Sequence, residues 1–257
     1  MLHGKVALIT GASSGIGALT AQMLAAKGAI PVLTARNAEK LRDAALGIRG
    51  EYVAMTMDVT DTGQICGTVE RIMDKFGKID ILINNAGYGI FESFDRLRIE
   101  QFADMMDVNY MGVVRCTKAV LPHMLEAGSG HIVNVASMAG KIGTAKSTSY
   151  TATKHAVLGF TNSLRQELAG TNVTVSSVNP GPIDTPFFEK ADPSGNYVRN
   201  VSFFILKPEK VAGEIVKLIE RRKPELNLPR AAAAGIKLYQ LFPRLADKLT
   251  YRWLNRK

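Results

Sequence analysis

The chain has 257 residues, 46% hydrophobic and 21% charged, which excludes general disorder and suits one large α/β domain. Its formal net charge is +9, yet residues 221–257 hold ten Lys/Arg against two Asp/Glu, a net +8, so the body is almost neutral. Nucleic-acid binding over a broad basic surface is thereby excluded. No metal site is expected either: Cys66 and Cys116 lie in helical patterns and read as reduced core residues, and His3, His123, His131 and His155 form no ligand cluster.

In chain order, the first apolar run is Val6–Thr10. It begins almost at Met1, which leaves no room for a signal peptide, and no run approaches transmembrane length, so a cytoplasmic protein is expected. The run leads into Thr10-Gly11-Ala12-Ser13-Ser14-Gly15-Ile16-Gly17 and a helical pattern over 16–27. Glycines between a strand and a helix permit a tight turn and close backbone approach, so a pyrophosphate can sit on the helix N-terminus. The spacing is G-x-x-x-G-x-G, a variant of the G-x-G-x-x-G of ordinary dinucleotide folds. The next strand, 30–35, is followed by Arg36, with no acid until Glu39. That position faces the adenosine ribose; an acid there binds the 2′-hydroxyl, whereas an arginine suits a 2′-phosphate. NADP(H) is therefore expected in preference to NAD(H), the alternative being that Arg36 is a solvated residue before the next helix. A strand over 52–57 ends in Asp58-Val59, an aspartate starting a turn. A helix over 64–76 and a strand over 79–83 follow, ending in Asn84-Asn85-Ala86-Gly87. The helical region 102–126 contains Asn109, which on its own reads as solvated or bonded to its backbone.

The apolar strand 131–135 places Ser137 at a strand's carboxyl end, where open α/β sheets bind ligands. The helix predicted over 150–168, capped by Ser147 or Thr148, carries Tyr150 and Lys154 on one face at i, i+4. A free tyrosine, with a pKa of about 10, is a poor acid-base group at neutral pH. A lysine one turn away and the helix dipole are expected to favour the phenolate and bring the phenol into range for general acid-base catalysis. The strand 173–178 ends in Asn179-Pro180-Gly181-Pro182-Ile183-Asp184-Thr185. Residues 186–207 read as irregular; their Phe187, Phe188, Tyr197, Phe203 and Phe204 suit either a lid over an apolar substrate or packing beneath a loop. A helix over Pro208–Arg221 and a strand over Glu225–Leu228 would finish the sheet. Residues 1–229 then form the domain, and 230–257 a basic amphipathic extension. In it Arg244, Lys248, Arg252 and Arg256 step by four beside Leu241, Leu245, Leu249 and Trp253, with Pro243 breaking or starting a helix. Such a segment suits weak contact with an anionic membrane, or packing on its own subunit or a partner.

Ser-x12-Tyr-x3-Lys between this strand and this helix, with the glycine loop before it, resembles the short-chain dehydrogenase/reductase family over about residues 5–181. The resemblance implies a Rossmann-type doubly wound parallel sheet and reversible hydride transfer between NADP(H) and a small-molecule carbonyl or alcohol. It implies that Asn109 completes a tetrad with Ser137, Tyr150 and Lys154, bending its helix and holding a proton-relaying water. Tyr150 would be the acid, Ser137 would bond the substrate oxygen, and Lys154 would tune Tyr150 and hold the nicotinamide ribose. Asp58 and Val59 would lie beside the adenine. Asn85, Ala86 and Gly87 would pack on the cofactor, and Pro180, Gly181, Ile183 and Thr185 would border the nicotinamide. Relatives often place a basic residue in the glycine loop, where this chain has Ser13 and Ser14. A homodimer or homotetramer built on 102–126 and 150–168 is implied as well. An NADP(H)-binding sensor or scaffold on the same fold is the alternative, but it would not need the Tyr150–Lys154 pair.

Overall fold

The computed structural model describes residues 2–244. Seven strands form one sheet: β1 (Val6–Thr10), β2 (Ile30–Ala35), β3 (Val53–Thr56), β4 (Ile81–Asn84), β5 (Gly130–Val135), β6 (Val173–Pro180) and β7 (Glu225–Leu228). Their order is β3-β2-β1-β4-β5-β6-β7, and every neighbouring pair is parallel. Parallel neighbours require crossovers, supplied here by α1 (Gly15–Ala25), α2 (Ala38–Ala45), α3 (Thr62–Phe76), α4 (Ile99–Met106), α5 (Gly112–Glu126), α6 (Thr148–Glu167) and α9 (Pro208–Arg221).

The residues of β1 show why helices cover both faces. All five are buried, and successive side chains point to opposite sides. Ala7 and Ile9 join a core with Leu24 of α1 and Val211 and Ile215 of α9. Val6 and Leu8 join a second core with Ile65 and Ile72 of α3, Val120 and Met124 of α5 and Leu164 of α6. The chain is thus a single doubly wound α/β domain. Strand order reverses between β1 and β4, and ligand crevices form beyond the carboxyl ends of strands at such a point.

Local chemistry sets the helix ends. Asn37 Oδ1 accepts from Lys40 N at 2.8 Å to open α2, and Asp61 Oδ1 accepts from Gln64 N at 3.0 Å to open α3. Gly77, at φ +68°, closes α3 in the left-handed conformation. Ser147 occupies the cap position of α6, but its side chain bonds Thr144 O instead of the helix amides.

Three sequence expectations change. The region read as one helix over 102–126 starts at Ile99 and is interrupted by a π-helical turn, Asp107–Met111. Asn109 accounts for the interruption: its Nδ2 donates to Tyr88 O at 2.8 Å and to Thr153 Oγ1 at 3.0 Å, and its Oδ1 accepts from Tyr88 N at 2.9 Å. The span 186–207 is not irregular; it folds α7 (Phe187–Ala191) and α8 (Asn196–Val201), separated by Pro193 and Gly195. Cys66 is exposed, because it sits on the outer face of α3 while Ile65 and Val69 face the core; Cys116 is buried. A final helix, α10 (Arg230–Leu241), ends two residues before Pro243. The stripe residues Leu245, Lys248, Leu249, Arg252, Trp253 and Arg256 lie outside the described residues. No helix among the described residues is long and apolar enough to cross a membrane.

One buried base has a stability consequence. His131 on β5 is buried with a ring nitrogen 2.7 Å from Ser176 Oγ, and burial, together with nearby Arg222, pushes its pKa down to about 4 from 6.5. Between those values the unfolded chain binds the extra proton, so this contribution is intact above pH 6.5 and is lost as the pH falls towards 4. The unfolding free energy from denaturant titration should therefore fall on the acid side, by at most about 1.4 kcal/mol per pH unit from this group. The slope should flatten in His131→Gln; an unchanged slope would place the acid sensitivity elsewhere.

Candidate active site

The loops after β1 and β4 are tied together at the switch point. Thr10 Oγ1 accepts from Asn85 N and Ala86 N, each at 3.0 Å, and Asn85 Nδ2 donates to Thr10 O at 2.9 Å and Gly11 O at 3.1 Å. The approach is so close that a Cβ on Gly11 would stand 2.7 Å from Ala86 Cα, and the φ of +64° at Gly11 also favours glycine. Gly17 does not line the cavity; a Cβ there would meet Asn85 Nδ2 at 2.5 Å, so its service is to packing.

A cavity of about 1210 Å³ runs along the carboxyl edge of the sheet. At one end it is lined by Gly11, Ser13, Ser14, Gly15 and Ile16 at the N-terminus of α1, with Arg36, Asp58 and Val59 beside them. Arg36 is largely exposed and its Nη1 lies 3.9 Å from Asp58 Oδ2, while Asp58 Oδ1 accepts from Thr60 N and Oγ1. Sequence reasoning missed Asn37 and Lys40, which line the same end. The available signal was that Lys40 sits in the first turn of the helix capped by Asn37, one turn beyond Arg36. Ala86, Gly87, Pro180, Gly181, Ile183 and Thr185 line the middle, with Asn85. A Cβ on Gly15 would lie 3.5 Å from Thr185 Cγ2, so the glycine loop and the turn after β6 come nearly into contact here.

Ser137 follows β5 in extended conformation; its Oγ accepts from Ala139 N at 3.0 Å and donates towards Pro180 O at 3.3 Å, and it lines the cavity together with Tyr150. Tyr150 is the third residue of α6, and Lys154, one turn on, is buried with its Nζ donating to Val135 O at 2.9 Å. A Cβ on Gly140 would stand 2.6 Å from Lys154 O, so the turn after Ser137 packs directly on this helix and fixes the spacing of serine, tyrosine and lysine. Asn109 is buried beneath them and does not line the cavity; it reaches α6 through Thr153. The expected lowering of the phenol is not found. Burial pushes Tyr150 up to about 12 against the opposing effect of Ser137, and burial pushes Lys154 down to about 8. The physical reason is desolvation: Lys154 Nζ lies 5.7 Å from the Tyr150 ring centroid, while apolar rings surround the phenol.

A serine, a tyrosine and, one helical turn on, a lysine thus share one cavity with a glycine loop. Residues 5–195 match the family described as short chain dehydrogenase. The chain belongs to the short-chain dehydrogenase family. It is 34% identical over 264 residues to the ketoacyl reductase HetN of a Nostoc species, spanning 99% of this chain and 90% of the relative. A short-chain dehydrogenase/reductase from Burkholderia phymatum, solved in complex with NAD, superposes with a TM-score of 0.86 at 27% identity, covering 95% of each chain. A variant of the actinorhodin polyketide ketoreductase, solved with NADPH, superposes with a TM-score of 0.79 at 33% identity, covering 89% of this chain and 97% of that one.

The part of the cavity in which this short-chain dehydrogenase differs most from a bare nucleotide site lies around Tyr150. Phe91, from the loop after β4, packs edge-on to Tyr150 at 5.8 Å and to Tyr197 at 5.0 Å between ring centroids. Phe187 of α7 approaches Tyr150 at 5.6 Å, and Phe188 joins Phe91 and Tyr197. Phe204 lines the cavity as well; Phe203 does not and is exposed. Phe91 carried no signal in the sequence, since it lies in a loop without periodicity. Ile236, Tyr239 and Phe242, from α10 and the residue after it, add an apolar wall to the dehydrogenase. Among the described residues no group of His, Cys, Asp and Glu could hold a metal.

Proposed function

We propose that this dehydrogenase transfers hydride reversibly between NADP(H) and an apolar carbonyl/alcohol pair, a ketone, acyl carbonyl or steroid-like compound. The observation that carries the reading is that Ser137, Tyr150 and Lys154 share one cavity with the glycine loop, with Tyr150 inside an aromatic enclosure. The cofactor fits the residues present. Gly11 lets the loops after β1 and β4 close together, Gly15 holds a φ of +56°, and the N-terminus of α1 with Ser13, Ser14 and Ile16 suits the pyrophosphate. Arg36 and Lys40 offer two cations to a 2′-phosphate. Bound NADPH supplies the hydride; the protein supplies orientation and proton chemistry.

In reduction, the neutral Tyr150 phenol donates its proton to the carbonyl oxygen, which Ser137 Oγ also bonds. A phenol held neutral by burial is the correct form for an acid. Lys154 would hold the nicotinamide ribose and return a proton to Tyr150. Asn109 would steady that relay through Thr153 and the backbone of Tyr88. Asp58 and Val59 would flank the adenine, and Asn85, Ala86, Gly87, Pro180, Gly181, Ile183 and Thr185 would seat the rest of the cofactor. The ketoacyl and polyketide reductases among the relatives support a carbonyl substrate, the neighbours solved with NAD and with NADPH support a nicotinamide cofactor, and the preference for NADP(H) rests on Arg36 and Lys40. Assembly as a homodimer or homotetramer through α5 and α6 belongs to the same reading.

The test is NADPH oxidation over a panel of ketones, steroids, acyl carbonyls and quinones. Saturable turnover of an apolar carbonyl, faster with NADPH than with NADH, is expected. Tight NADPH binding with no turnover across the panel would favour a cofactor-sensing protein instead.

A further inference from the structure

Helix α10 is built without a core. None of its 12 residues is buried. Leu238, Leu241 and the adjoining Phe242 are 63%, 71% and 60% exposed. An isolated helix of this length is marginal in water, and amphipathic helices are held mostly by what covers their apolar side. Leu238 and Phe242 are at once cavity-lining and exposed, which places them on the rim. The exposed apolar residues therefore adjoin the cavity mouth.

The charge on α10 itself has one sign, although exposed Glu189 of α7 lines the same cavity and Glu214 of α9 feels Arg230. Arg230 and Lys237 are exposed and seven residues apart, two turns, so they share a face with Leu241; Arg244 follows and is exposed too. No acidic residue occurs from 226 to 246. Glu225, the acid just before, is engaged by Lys141 and by Asn179 Nδ2 at 2.9 Å. Gln240 Nε2 donates to Lys141 O at 3.0 Å, which pins α10 beside that ion pair. A surface helix whose only charged side chains are cations, set beside exposed leucines and a phenylalanine, matches the chemistry of an anionic lipid interface: apolar side chains enter the acyl boundary while lysine and arginine meet the headgroups.

We propose that α10 and the residues around it dock this protein on an anionic membrane surface, with the apolar rim of the cavity turned to the lipid. Docking in this way gives the cavity direct access to apolar carbonyl compounds dissolved in the bilayer; that last clause rests on the proposed function, whereas the docking does not.

The experiment is co-sedimentation of the full-length chain with vesicles of phosphatidylcholine and phosphatidylglycerol, and with vesicles of phosphatidylcholine alone, at low and high salt. Sedimentation velocity without vesicles is run in parallel. Binding only to the mixed vesicles, weakened about tenfold or more at high salt, is expected. Lys237→Glu with Arg244→Glu should weaken it by at least about tenfold, taking about fivefold per cation lost. Leu241→Ser should weaken it further while preserving NADPH binding, which reports an intact fold. No binding at low salt, or binding unaltered by these substitutions, would overturn the proposal. So would self-association that Leu241→Ser abolishes in a protein that ignores vesicles, which would give the patch to a second copy. Vesicle binding needs no turnover, so a failed activity screen leaves this result readable.

Discussion

Tyr150→Phe is expected to lower turnover by at least about 10²-fold while leaving NADPH affinity nearly unchanged. The substitution removes one oxygen from a residue whose ring is held by Phe91 at 5.8 Å and Phe187 at 5.6 Å, so the ring should stay in place. What disappears is the phenolic hydroxyl, the proposed proton donor. A loss confined to the transition state lowers kcat with little change in cofactor binding. The measurement is turnover on the best substrate of the panel, with NADPH affinity followed by fluorescence. Near-normal turnover would show that another group supplies the proton. Because burial pushes the phenol up to about 12, it is protonated at neutral pH, the form that can donate a proton in reduction.

Arg36→Ala should weaken NADPH about ten- to a hundredfold and NADH far less. A charge-assisted bond to the 2′-phosphate contributes roughly 1.5–3 kcal/mol, and each 1.4 kcal/mol is about tenfold in affinity. The competing partner is weak: Asp58 Oδ2 lies 3.9 Å away and the Arg36 side chain is 68% exposed. The guanidinium can therefore leave Asp58 for a phosphate at little cost. Lys40 at the same end should retain part of the preference in the single variant, and Arg36→Ala with Lys40→Ala should remove more of it. Equal losses for both cofactors would take Arg36 off the 2′-phosphate, and a wild type preferring NADH would overturn the assignment.

The sheet was legible because its strands are short apolar runs closed by small polar residues. β1 and β2 lie where the alternation of valine, leucine and isoleucine with turns places them, and β7 and α9 keep their expected bounds. The serine–tyrosine–lysine constellation was legible because two of its members share one helix and the third ends the preceding strand. Other features depend on partners distant in sequence. The π turn at Asn109 answers to the backbone of Tyr88, 21 residues earlier. The place of Phe91 is set by Tyr150 and Tyr197, which no local pattern reveals. α7 and α8 span five and six residues, too short for a helical period to register. The Tyr150 phenol was misjudged for a related reason: one-turn spacing names its charged neighbour but says nothing of the apolar rings that exclude water.

The cavity walls also differ in how freely they can vary over evolutionary time. Gly11 and Asn85 are caught in contacts that admit almost no other side chain, so the nucleotide end tolerates little drift. α10 has no residue in the core and lies beyond residues 5–195, the part matched to the family. Exchanges at Ile236 or Tyr239 would reshape the mouth of the cavity without disturbing either hydrophobic core. Descendants of this chain could thus acquire new substrates by altering one surface helix while inheriting the cofactor end unchanged.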